Sequence, residues 1–278
     1  MDDCNPRNLQ DLSADIQALE KSIEGLARMV TEVRKDRAIL AFQADWYGRG
    51  AIYHLKNTLE HYSTFVREVA VRATTGANVL IMYAPSFQEM MFEFYALVNL
   101  CRITMNGLRM YLRPLFTVNA DRLPKSIKEI FKGTTDCPIY LYLAEQSILE
   151  YLIDLRDCIV HYRSFGTSDN AIVTEEGYEL PGDLSEDSWL TSMAKAYFRR
   201  IGEDAVSVNV YLPDKIFDAG ALPNRRLVNF TYTERWNLLS MARGFTELTV
   251  RSLALVLHAL RALPDGTFKF SARRRDHK

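Results

Sequence analysis

Glu150-Tyr-Leu-Ile-Asp-Leu-Arg-Asp-Cys-Ile-Val-His-Tyr-Arg-Ser-Phe165 is the stretch at which the chain changes character. Before it, apolar residues recur with a period near 3.6, as on helices; after it they alternate, as on strands. It closes an apolar helical run that opens at Pro138, a residue suited to a first helical turn. Ser164, Gly166, Thr167, Ser168, Asp169 and Asn170 follow as a polar loop, so Arg156, Asp157, His161 and Arg163 fall within about two turns of a helix end near solvent.

Upstream, Leu12, Ile16, Leu19, Ile23, Leu26, Val30, Val33 and Leu40 recur at steps of four and three, with Arg37 at the one seam position that is not apolar. This heptad seam belongs either to a helix laid along its own domain or to a coiled coil between copies. Ile52, Leu55, Leu59, Tyr62, Phe65, Val66 and Val69 give a second helix from Trp46 to Ala73, ended by Thr74, Thr75 and Gly76. A third helix is expected over Ser86–Leu112, stopped by Arg113 and Pro114. Leu123–Lys132 reads as a short helix.

Downstream, Ala171–Thr174 and Tyr178–Leu180 flank Glu175, Glu176 and Gly177 like a hairpin. Val206, Val208, Val210 and Leu212 alternate, and so does Leu227–Tyr232. Trp189–Arg200 between them is expected to be a helix, and Glu234–Leu263 a final amphipathic helix stopped at Pro264-Asp265-Gly266. The fold class expected is mainly α: one domain over 1–278, with a coiled-coil-like helix (1–41), a helical bundle (46–163), a small antiparallel β insertion (170–232), a final bundle helix (233–263) and a mobile basic tail (264–278).

The 278 residues are 48% hydrophobic and carry a net charge of −1, enough for a substantial core and too balanced for a global field that draws nucleic acid or an anionic membrane. Any phosphate ligand must therefore be held by a local patch. The cysteines Cys4, Cys101, Cys137 and Cys158 form no Cys-x-x-Cys pair and have no histidines at zinc-finger spacing, which reads as free thiols in a reducing compartment. With no signal-peptide order and no apolar run of membrane-spanning length, a cytoplasmic protein is expected.

The crowded helix end has the parts for chemistry. Residues four apart share a helix face, so Asp157 can hold the His161 imidazole in one tautomer. Arg156 lies about 140° around the helix from His161, on an adjacent face. An imidazole moves protons near neutral pH, and a guanidinium holds two phosphoryl oxygens as charge builds in a transition state. Those are the needs of metal-free RNA cleavage: a base for the 2′-hydroxyl and a clamp on the pentacoordinate phosphorus. One histidine cannot be acid and base at once; a symmetric homodimer supplies two.

At Arg156-Asp157-Cys158-Ile159-Val160-His161 the chain resembles the HEPN superfamily, whose mark is an Arg followed by a polar residue and, a few positions on, a His. The resemblance implies an all-α bundle that dimerises, a metal-independent endoribonuclease site in the dimer cleft, and employment in toxin, antiphage or RNA-processing systems, with an antitoxin as partner in the first. Arg156 and His161 would then be catalytic, with Asp157 in the place of the polar residue, and Tyr162 and Arg163 positioned to hold RNA phosphate. No cofactor and no metal are expected. The alternative is a non-catalytic helical scaffold or adaptor that binds a protein partner, in which Arg156, Asp157 and His161 form ion pairs at a helix end.

Other groupings carry less. His54 and His61 stand about 10.5 Å apart along a helix, too far to share a metal. Glu89 and Glu93 share a face, but no Glu-x-x-His pair accompanies them as in di-metal bundles. No Gly-x-x-x-x-Gly-Lys run exists, which excludes P-loop nucleotide hydrolysis. Phe87, Phe92, Phe94, Tyr95 and Tyr111 recur as core residues do, rather than as a base-stacking platform.

Overall fold

Gly48 and Gly50 explain how the first helices meet. In the computed structural model, which describes residues 6–32, 38–117, 126–132, 135–161, 170–179, 194–202, 205–213, 215–222, 225–231 and 236–269, α1 (Pro6–Glu32) is followed by α2 (Ala38–Ala73). A Cβ on Gly48 would lie 3.2 Å from Ile23 Cδ1, and one on Gly50 would lie 2.9 Å from a terminal methyl of Leu100. The missing side chains let α2 approach both neighbours closely. Ile16, Leu19, Ile23 and Leu26 are buried by the chain itself, so over this stretch the heptad stripe faces the protein's own core. α2 begins at Ala38 rather than Trp46, which makes half-buried Leu40 part of α2 and not of the seam. Val33 and Arg37 lie outside the described residues.

The third helix stands as expected: α3 runs Pro85–Leu112 and gives way to a single tight turn at Arg113–Leu115. A second 3₁₀ segment covers Ile127–Lys132. The run from Pro138 is two helices, α4 (Pro138–Ala144) and α5 (Ser147–His161), not one. The ladder slips between them: Glu145 N–H bonds the Tyr142 carbonyl and Gln146 N–H the Leu143 carbonyl, three residues back instead of four. The last helix, α6 (Leu238–Ala262), starts four residues later than the apolar period suggests, because Trp236 and Asn237 pair as a strand.

The strands are β1 (Val79–Tyr83), β2 (Asn170–Glu175), β3 (Lys195–Arg200), β4 (Val206–Leu212), β5 (Lys215–Leu222), β6 (Arg225–Thr231) and β7 (Trp236–Asn237). Five form one sheet in the order β1-β2-β3-β4-β7, and β5 and β6 form a separate ribbon. Three expectations are corrected here. The sheet is not confined to an insertion before the last helix, since β1 lies between α2 and α3. β2 pairs antiparallel with β1 and parallel with β3 rather than folding onto Tyr178. Residues 195–200 are strand and not helix: Ala196 and Phe198 bury one side of β3 while Arg199 faces out, a period of two.

Contact density divides the chain into two compact units, each assembled from three separate segments. The first comprises 1–16, 54–96 and 154–243. In it Leu80, Met82, Val173, Phe198, Val208 and Val210 form the buried face of the sheet, and Tyr62 of α2 donates its hydroxyl hydrogen to the Val208 carbonyl. Phe65 of α2 meets Phe87 of α3 at 4.9 Å between ring centres. Arg200, at the end of β3, donates to the Ala73 carbonyl at the end of α2 and to the Ala77 carbonyl in the following turn, and pairs with Glu175 of β2. Asn237 caps α6: its Oδ1 accepts from Leu239 N–H at 3.0 Å and Ser240 N–H at 3.2 Å. Asn237→Ala should therefore cost about 1 kcal/mol of stability, read as a lowered urea midpoint at unchanged slope.

The second unit comprises 17–53, 97–153 and 244–278. Its core gathers Leu26, Leu97, Met105, Leu108 and Phe245, with Tyr151 stacked on Phe245. Residues 264–269 are not a loose tail. Gly266, at φ 72°, turns the chain after α6 so that Phe268 N–H reaches the Leu115 carbonyl at 2.8 Å and Thr117 N–H reaches the Phe268 carbonyl at 3.0 Å. The rest of the basic tail, from Phe270 on, lies outside the described residues.

Cys101 is fully buried here, its thiol directed at the Phe245 carbonyl, and burial pushes its pKa from 9.0 up to about 12. A thiol protonated longer in the folded than in the unfolded chain stabilises fully below the unfolded value and loses that contribution as pH rises toward the folded one. Stability should thus fall between about pH 9 and 12, by on the order of 4 kcal/mol from this group. Urea titrations in that range should show a shallower slope against pH for Cys101→Ala.

Candidate functional site

The polar side of α5 emerges from a helix that is otherwise core. Leu152, Ile153, Leu155, Cys158 and Ile159 are buried, Asp154 is exposed, and Arg156 and Asp157 are half-buried. Arg156 Nη1 lies 3.4 Å from Asp157 Oδ1, and the two side chains retain 27% and 23% exposure. The pair is thus neither sealed nor fully solvated. The adjacent carboxylate offsets part of the cost of burying the guanidinium.

Arg156 through His161 all belong to α5, whose last residue is His161. The His161 side chain, and Tyr162 and Arg163 altogether, lie outside the described residues. Of the residues singled out for chemistry, the structure brings Arg156 and Asp157 together; the expected Asp157–His161 contact falls outside what it describes.

Helix spacing on α2 and α3 conceals two further pairs. His54 Nδ1 meets Glu93 Oε2 at 2.7 Å, and His61 Nδ1 meets Glu89 Oε2 at 3.1 Å. The two helices run antiparallel, so residues seven apart on one match residues four apart on the other in reverse order. A carboxylate on Nδ1 fixes the neutral ring as the tautomer whose basic nitrogen is Nε2. Two histidines on one face of α2 and two glutamates on one face of α3 were the available signal, but neither pair reveals which helices are neighbours. Among the described residues no three His, Cys, Asp or Glu side chains converge as a metal site would require.

The aromatics of α3 divide as their period suggests. Phe87, Phe94, Tyr95 and Tyr111 are buried, and only Phe92 of the five is exposed. In the second unit Pro138, Ile139, Tyr142, Ala254 and Leu255 line an open apolar cavity of 520 Å³, with Arg251 at its side tied to Glu247 one turn back on α6. It holds no pair of proton-transfer groups. A polar chain on the sheet links Glu176, Asn209 and Asn237: Asn209 Nδ2–H donates to Glu176 Oε1 at 3.0 Å, and Asn237 Nδ2–H to Asn209 Oδ1 at 3.4 Å. This chain ties the sheet to the start of α6 and is structural.

No helix among the described residues is long and apolar enough to cross a membrane. No family model, curated protein or solved structure matches the chain.

Proposed function

We propose that the protein is a cytoplasmic, HEPN-like RNA-binding homodimer that cleaves RNA without a metal, in the manner of toxin or antiphage nucleases. The observation that supports this most is the half-buried Arg156–Asp157 pair on the same helix that ends in His161. In the reaction, His161 of one subunit takes the proton of a 2′-hydroxyl, whose oxygen attacks the adjacent phosphorus. Arg156 holds the equatorial oxygens while they carry the developing charge. His161 of the partner subunit returns a proton to the departing 5′-oxygen, leaving a 2′,3′-cyclic phosphate and a 5′-hydroxyl. Asp157 positions the imidazole, and Tyr162 and Arg163 hold flanking phosphate.

The test is incubation of purified full-length protein with structured RNA in excess chelator, with product ends identified by mass. Cyclic phosphate ends that disappear in both Arg156→Ala and His161→Ala are expected; cleavage that survives either change rejects the assignment. A second reading, a non-catalytic scaffold, draws on the same ion pair, because a 3.4 Å contact between neighbours also serves simply to neutralise a helix end. That reading is favoured if the chain neither cuts nor retains RNA and copurifies with one protein at fixed stoichiometry.

A further inference from the structure

We propose that the first half of α2 is the surface through which two copies of this chain pair, antiparallel, about a two-fold axis between Trp46 and Arg49. Ile39, Phe42, Trp46 and Tyr53 are 68%, 62%, 61% and 59% exposed. They follow one another at heptad steps, with Arg49 in the remaining position, and all five lie within an arc of about 80°. The opposite arc, with Ala41, Ala44, Ala51 and Ile52, is buried. Further along α2 the exposed arc carries Lys56, Glu60 and Arg67, and the next large apolar residue on it is Val71.

A stripe of this kind is large for a surface left in water. Buried aromatic side chains cover about 150–250 Å² each, so the three aromatics together with Ile39, at roughly six-tenths exposure, present about 400 Å² per copy. Two copies bury about 800 Å² from these residues alone, and Arg49 with its flanking side chains carries the total to the roughly 1,000 Å² that a biological interface must clear. The composition matches as well: Trp, Tyr and Arg are the residues on which association energy concentrates.

The stripe is complementary to itself in one orientation. Antiparallel helices place each a position against a d position of the other. Trp46 then faces Arg49 of the partner subunit and Phe42 faces Tyr53 of the partner subunit, each contact made twice. The guanidinium over the indole is a favourable cation–π pair. Arg49 also keeps its own counter-charge, since its Nε–H donates to Asp45 Oδ2 at 2.9 Å, so its burial leaves no bare cation. Parallel pairing would instead stack Arg49 on Arg49 of the partner subunit.

This inference rests on α2 and stands apart from the RNA reading, which names residues of α5 and requires both copies of His161 to reach one phosphodiester. Light scattering on the full-length chain should give twice the chain mass. Phe42→Glu and Trp46→Glu should each weaken association at least about 30-fold, with unchanged helical circular dichroism because both side chains are exposed. Phe42→Cys and Tyr53→Cys, each made with Cys4→Ser, should form an intermolecular disulfide when mixed and little when alone. A wild-type monomer at the highest soluble concentration overturns the proposal and assigns the stripe to a different protein. So does a dimer indifferent to both glutamates, and self-linking of each cysteine variant overturns the antiparallel arrangement. RNA cleavage is read separately, so a monomer that cuts or a dimer that does not tells the two failures apart.

Discussion

Arg156→Ala and His161→Ala should each lower the rate of RNA cleavage by at least about a hundredfold, the usual cost of removing a charge-stabilising donor or a general acid–base group. The two losses should not add. If both groups act in one transition state, the double variant is about as slow as the slower single one. Arg156→Lys should recover little, because an ammonium cannot offer the planar, two-pronged contact that a phosphoryl group accepts. If Asp157 orients the imidazole as proposed, Asp157→Asn should cost roughly tenfold in rate and shift the acidic limb of the pH profile. A stability role alone would leave that pH profile unmoved, which is why the profile, rather than the rate, is the measurement for Asp157.

Arg200→Ala should destabilise the first unit by about 2–3 kcal/mol. Its guanidinium serves acceptors from three places: the last carbonyl of α2, a carbonyl of the turn before β1, and the Glu175 carboxylate. Helix ends leave carbonyls that need partners, and removal of the arginine strands Ala73 and Glu175 together. The side chain is 30% exposed, so water replaces part of what is lost and the lower end of the range applies. Arg200 also lies 5.1 Å from the centre of the Phe198 ring, a contact that Arg200→Met largely keeps. The methionine variant should therefore recover a minor part of the loss, measured by urea denaturation. Hydrogen exchange should quicken first in β1 and at the end of β2.

The helical part of the fold was legible where chain punctuation and period agreed. α3 is bounded by Pro85 and by Arg113-Pro114, and its limits came out within a residue. β4 was legible because three valines and a leucine alternate along it. β1 was missed: Val-Leu-Ile-Met-Tyr is uniformly apolar and five residues long, too short to show a period. β3 was misread because the helix-compatible residues ahead of it, from Trp189, extended a plausible 3.6 period through Lys195–Arg200. At the site, the sequence placed the stretch from Arg156 to His161 at a helix end, and α5 does end at His161. It could not show the His–Glu pairs of α2 and α3, which depend on how two helices are set side by side rather than on either one.

The threading of the two units has a consequence for biosynthesis. Residues 54–96 must wait for 154–243, and residues 17–53 must wait for α6, so neither core can close while the ribosome still holds the C-terminal third. β1 in particular emerges about ninety residues before its partner β2 and is left with an apolar edge in the meantime. Pairings this distant in sequence slow folding, and a nascent chain in this state is a natural client for chaperones. For the same reason, no cut at a single point of the chain yields a fragment containing one whole unit and nothing of the other.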